Sequence, residues 1–142
     1  MEYLSALVDY GVLGLLVGMS IAALAIAIER WLSYRNIHIG NFSDKRILEF
    51  ELTRRLHLIA TIGSNAPYIG LLGTVLGIMA TFYTMGMEGF ADTGKIMVGL
   101  SMALKATAVG LLVAIPSIVF YNLLLRRVKG IVLEWELKYE GR

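Results

Sequence analysis

An all-α integral membrane protein with three transmembrane helices is the fold class this sequence predicts, on three observations. First, 57% of its 142 residues are hydrophobic, above the ~45–50% usual for a soluble domain. Second, the excess lies in three blocks: Gly11–Ile28, Ala66–Met87 and Ile96–Leu125, with Lys105 as their one charge. Each reaches the ~18 residues at which a membrane span is the default reading. Third, the basic residues sit at block boundaries. Arg30, Arg35, Lys45, Arg46, Arg54 and Arg55 follow the first block, and Arg126, Arg127, Lys129, Lys138 and Arg142 follow the third. The segment before Gly11 has no basic residue, and the turn Gly86–Gly94 carries Glu88 and Asp92. The positive-inside rule then predicts the N-terminus and the short turn outside and the C-terminus inside.

Composition also narrows the function classes. With no cysteine, disulfides, thiolate catalysis and Cys-based metal sites are excluded. His38 and His57 lie outside the apolar blocks and read as solvated loop histidines, so no metal site is expected. No acid, base and nucleophile converge, and an enzyme is not expected. The membrane boundaries account for the basic residues without a nucleic-acid partner. Glu2 and Asp9 precede the first apolar run and the positive charges follow it. That order favours an uncleaved, N-out span over a cleavable leader.

The elements follow in order. Residues 10–34 form the first span, where Trp31 and Tyr34 suit the membrane interface and Arg30 and Arg35 suit headgroups. Gly14 and Gly18, four apart, suit either a lipid-facing anchor or a packing face. Residues 35–65 form a cytoplasmic segment in which Ser43 caps an amphipathic helix and Leu48, Leu52, Leu56 and Ile59 share one face. Gly63-Ser64-Asn65 is a weak point before the second span, 66–87, although the second and third helices are both expected to be long and to extend into the cytoplasm. Pro67 fits that span's first turn, or bends a helix that runs through it. Residues 88–94 make a short turn on the outer side, periplasmic if the membrane is a bacterial inner one. The third span, 95–125, would run about 45 Å as one helix, beyond the ~30 Å hydrocarbon core, and Pro116 is placed to bend it. In the tail, 126–142, Val128, Ile131, Val132, Trp135 and Tyr139 keep helical spacing, so it is expected to pack on the 43–62 segment.

Small and polar residues form two stripes. In the second span they are Gly70, Thr74, Gly77, Thr81 and Thr84; in the third, Ala103, Thr107, Gly110, Ala114, Ser117 and Tyr121. Spacings of four and three put each set on one helix face. A helix that only dissolves in lipid has no need of such a stripe; one that packs closely or lines a polar path does. Gly73 adds to this packing surface. For a hairpin joined near Gly86–Lys95, residues at equal depth have numbers summing to about 181, to within a turn. Thr74 and Thr107 meet that condition, which leaves a packing seam with self-bonded hydroxyls or a shared polar path.

Lys105 differs in kind. A lysine near a span's centre costs about 2.5–3.5 kcal/mol, and this one lies about 15 Å from the outer helix end. Neither hairpin block contains Asp or Glu to pair with it. Its partner is open: an acid on another chain, lipid phosphate or water, or else the side chain is neutral. It lies about 200° around the helix from Thr107 and shares its face with Ser101 and Ala108.

Two segments carry a family resemblance: Ala66-Pro-Tyr-Ile-Gly-Leu-Leu-Gly-Thr-Val-Leu-Gly-Ile-Met79, and Gly99 to Leu111 continuing through Ala114-Ile-Pro116 to Tyr121-Asn122. With Glu29-Arg30 after the first span, the chain resembles the ExbB/TolQ/MotA family of ion-driven energising channels, and its ExbB branch most. The resemblance implies a homo-oligomeric ring, commonly a pentamer, in the bacterial inner membrane. It implies an ExbD-like single-span partner in the central pore, which carries a protonatable aspartate, and a TonB-like protein driven by the proton motive force. Thr74 and Thr107 match the family's pore-lining threonines, and Thr81 continues that path. No cofactor is implied beyond the transported proton, with bound phospholipid as the further ligand considered. The chain departs from the family at Met102, where many members have Glu, and at Lys105, where they have an apolar residue. Lys105 is then expected either to replace that charge or to pair with the partner's aspartate. The short N-terminus and loop read as a compact variant. The alternatives are a TolQ-like subunit of the Tol-Pal envelope system and a non-conducting membrane scaffold.

Overall fold

Backbone polar groups in an apolar surround must bond to one another, which makes a helix of each apolar block. The computed structural model describes residues 2–89 and 92–139, with side chains from Ser5 onward. Its helices are α1 (Glu2–Arg35), α2 (Lys45–Leu52), α3 (Leu56–Glu88) and α4 (Thr93–Tyr139), with a short 3-10 turn at Ile39–Asn41. Within the described residues, α1, α3 and α4 are each long and apolar enough to cross a membrane. Phe90 and Ala91 of the expected turn, and Arg142 of the expected basic tail, lie outside the described residues. The bundle has two ends. The hairpin end holds the start of α1 and the α3–α4 connection, and the tail end holds α2 and the last turns of α4.

Three local expectations are corrected. The weak point at Gly63-Ser64-Asn65 is not a break: α3 begins at Leu56 and runs through it and through Pro67. Gly63 serves close approach instead, since a Cβ there would lie 2.9 Å from Ile118 Cγ1. Ser64 Oγ and Asn65 Nδ2 donate to the Thr61 carbonyl at 3.2 and 2.8 Å, so both side chains are compatible with the helix. The chain turns at 53–55, where Arg55 takes a left-handed φ of 69°, and the amphipathic stretch becomes two helices. The cap of α2 is Asp44, not Ser43: its carboxylate accepts the Arg46 backbone N–H at 2.9 Å. That N–H and the Arg46 guanidinium hold the Asp44 carboxyl below its ordinary range.

Despite the break, both amphipathic faces meet as expected. Leu48, Leu52, Leu56 and Ile59 are buried against Leu124, Val128, Ile131, Val132 and Trp135. Trp135 Nε1 donates to the Phe42 carbonyl at 2.9 Å, Lys45 pairs with Glu136, and Tyr139 stacks on Trp135 at 5.0 Å.

Arg30 and Tyr34 are also corrected. Expected at the membrane surface, they are 1% and 2% exposed. The last carbonyls of a helix lack intrahelical donors, and these two side chains supply them to α2. Arg30 Nη1 donates to the Glu51 carbonyl at 3.0 Å and Tyr34 Oη donates to that of Leu52. The guanidinium is held in turn by two 2.7 Å bonds to Glu29, whose carboxylate also lies 3.8 Å from Arg55. The end of α1 thus clamps the α2–α3 turn. Trp31 and Arg35 stay on the surface, with the guanidinium 4.9 Å from the ring centroid.

Candidate functional site: the α3–α4 seam

The two small-residue stripes face each other. At their crossing a Cβ on Gly70 would lie 2.6 Å from the Ala106 carbonyl oxygen, and one on Gly110 would lie 2.7 Å from that of Ala66. Backbone touches backbone there, which glycine alone permits. Toward the hairpin end, a Cβ on Gly77 would meet the Ala103 Cβ at 2.9 Å, and one on Gly99 would meet Thr81 at 2.6 Å. Gly73 is bounded by both neighbours, with Ala106 Cβ at 2.8 Å and Val12 Cγ1 of α1 at 2.9 Å. Ala114 is buried beside Leu16, Ala66 and Val113. Pro67 and Pro116 both lie inside continuous helices.

Thr74 and Thr107 sit within this seam with their hydroxyls hydrogen-bonded to each other. The depth sum is met by a direct contact. Thr74 Oγ1 also donates to the Ala103 carbonyl at 2.8 Å, while the Gly70 carbonyl lies farther, at 3.3 Å. A hydroxyl carries one hydrogen. With that hydrogen spent on Ala103, Thr107 is the donor between the two threonines and keeps its lone pairs. Thr74 is 6% exposed, whereas Thr107 is half-buried. Other hydroxyls behave differently: Thr81 and Ser117 bond back to the carbonyls of Gly77 and Val113 in their own helices, at 2.9 and 2.8 Å. Mutual bonding across the helices sets the Thr74–Thr107 pair apart.

Lys105 has an acidic partner in the same chain: its Nζ lies 3.5 Å from Asp9 Oδ2 of α1. Asp9 falls outside the expected first span, which starts at residue 10, while α1 begins at Glu2 and carries Asp9 inside the helix. A signal is present in the sequence, since α1 and α4 leave the same end of the bundle and run in parallel. Ser101 and Met102 are exposed on α4. A Cβ on Gly14 or Gly18 would meet no neighbouring atom of the described residues within 4 Å. Among the described residues no three His, Asp or Glu side chains converge where a metal could sit.

Comparisons with known proteins span the same elements. The description "MotA/TolQ/ExbB proton channel family" belongs to the family model that matches residues 42–137, covering α2, α3 and nearly all of α4. Biopolymer transport protein ExbB of Aquifex aeolicus (strain VF5) is 57% identical over 136 residues, 96% of this chain and 92% of that protein. The protein of the same name from Helicobacter pylori (strain J99 / ATCC 700824) is 50% identical over 127 residues, 89% of this chain and 88% of its own. The Tol-Pal system protein TolQ of Haemophilus influenzae (strain ATCC 51907 / DSM 11121 / KW20 / Rd) is 42% identical over 91 residues, 64% of this chain and 40% of its own. With a family model over most of its length and relatives matched nearly end to end, the chain belongs to the MotA/TolQ/ExbB proton channel family.

Proposed function

We propose that the chain is the proton-channel and motor subunit of an inner-membrane energising complex. Several copies form a ring around an ExbD-like single-span partner, and the proton motive force drives a TonB-like protein. The hairpin end faces outside, in keeping with the basic residues at the tail end. The observation that carries the reading is the Thr74–Thr107 pair, a hydroxyl contact between two membrane-long helices. Moving one charge through 100 mV releases about 2.3 kcal/mol, and a protonatable partner group needs hydrogen-bonding neighbours where it sits in that field. Thr107 can serve both of its states. Its lone pairs accept from a protonated carboxyl while its own hydrogen stays on Thr74. An ionised carboxylate instead takes that hydrogen and breaks the Thr74 bond. The pair then reads the partner's protonation state and passes it to the seam.

Co-reconstitution with the partner in proteoliposomes tests this. Thr107→Val is expected to lower proton flux at least tenfold while native mass spectrometry still shows the ring. Undiminished flux would favour a non-conducting scaffold, in which the seam only packs. A TolQ-like role keeps the same chemistry and differs in the protein driven.

A further inference from the structure

We propose that the outer ends of α1, α3 and α4 enclose a water-filled proton inlet that ends on Asp9, with Lys105 as its counter-ion. This rests on the channel reading above. Two clefts at the hairpin end share Ser5, Thr81 and Gly99 in their walls and so adjoin each other, and the inlet runs through both. The outer one, about 810 Å³, has Thr84, Glu88, Asp92 and Lys95 around its mouth. The inner one, about 190 Å³, extends to Asp9, Gly77 and Ala103. At roughly 30 Å³ per molecule, about six waters fit in the inner cleft. Asp9 and the Ser5 and Thr81 hydroxyls give them polar partners.

The charges around Asp9 suit the role. Lys105 reaches it from α4 at 3.5 Å, and a lysine there offsets the cost of an ionised carboxylate inside a span. Among the described residues lining the inner cleft, α3 adds the Thr81 hydroxyl but no ionisable group. Glu88 on α3 faces the outer chamber, as do Asp92, just before α4, and Lys95 in its first turn. Two carboxylates against one lysine at the mouth favour entry of cations. A hydronium in the cleft gives its proton to an Asp9 carboxylate oxygen and leaves water behind. Lys105 keeps its own protons, so the pair passes from net neutral to net +1 and its attraction is lost; release to water reverses the step. Ala103 links inlet and seam, because it walls the cleft and its carbonyl holds Thr74.

The test uses the full chain with its partner in proteoliposomes. The chain has no cysteine, so Ser5→Cys and Thr81→Cys report access cleanly. Both are expected to react with a charged, membrane-impermeant thiol reagent added from outside. Asp9→Asn, and the double variant Asp9→Asn with Lys105→Met, are each expected to lower proton flux at least tenfold. The double variant leaves no orphaned charge, so it assembles even if the single one does not. Flux restored in the double variant would make the pair a structural tie and overturn the inlet, as would wild-type flux in both variants. Failure of both cysteines to label would overturn it too. A wild-type complex that passes no protons sinks the channel reading itself, and the inlet with it.

Discussion

The two halves of the molecule are held together by opposite means. At the tail end, large side chains fill a core: Leu48, Leu52, Ile59 and Val128 are each at most 2% exposed. Toward the hairpin end the contact is glycine on backbone and hydroxyl on hydroxyl, and large residues such as Leu71, Met79 and Leu104 point outward. On the membrane placement proposed above, the difference follows from the solvent each half meets. In water, apolar burial drives association. Between helices in lipid that drive is absent, and close approach with interhelical hydrogen bonds replaces it. One chain thus uses both rules along the same pair of helices, α3 and α4.

The sharpest way to break this contrast is to reverse side-chain size in each half. Gly70→Leu should abolish the hairpin contact, because even a Cβ would lie 2.6 Å from the Ala106 carbonyl oxygen. Native mass spectrometry in mild detergent should show no ring. At the tail end the sign reverses. Leu52→Ala, a loss of size at a buried site, should cost about 2–5 kcal/mol, read as a lower denaturation midpoint. If shrinking Leu52 were harmless, the tail end would not be a conventional core. Next comes the polar exception within that core. Arg30→Met removes the donor to the Glu51 carbonyl and to Glu29, and should cost about 1.5–3 kcal/mol on the same scale.

The smallest effect concerns the cap of α2, which has no counterpart in the seam. Asp44 has a carboxyl held below its ordinary value of 3.8. Its charge-dependent contribution is therefore fully present above about pH 4 and is lost as pH falls through the lowered value. Asp44→Asn keeps a capping oxygen without the charge. The variant's far-ultraviolet circular dichroism should lose less helix than the wild type between pH 5 and pH 2, by a few per cent at most.

The seam was legible in the sequence because glycines and threonines at spacings of four and three have few other uses in an apolar run. The depth sum then brought Thr74 to Thr107. The tail-end core was legible from the spacing of Leu48, Leu52, Leu56 and Ile59. What could not be read there depends on contacts between segments. Arginine has no intrinsic preference for positive φ, so Arg55 gives no local sign of a turn; Arg30, Tyr34 and Glu29 hold the chain there from α1. Gly63 gave the opposite error, since a glycine that admits a neighbour looks like one that ends a helix. Asp9 was hidden by a boundary placed at residue 10, one position past the charge, when the helix had already begun.

One last consequence follows from α4 being a single helix of 47 residues. It is about 70 Å long, with Thr107 and Trp135 about 42 Å apart on the same rod. The Gly70–Gly110 contact, with no side chains between the backbones, would give a tilt of α4 a pivot about 26 Å from one helix end and about 44 Å from the other. A tilt of about 5° there would sweep Trp135, about 38 Å along the helix, through about 3 Å. With the hydrogen-bond switch proposed at Thr107, such a tilt would carry a stroke to the far end, where Trp135 donates to the Phe42 carbonyl.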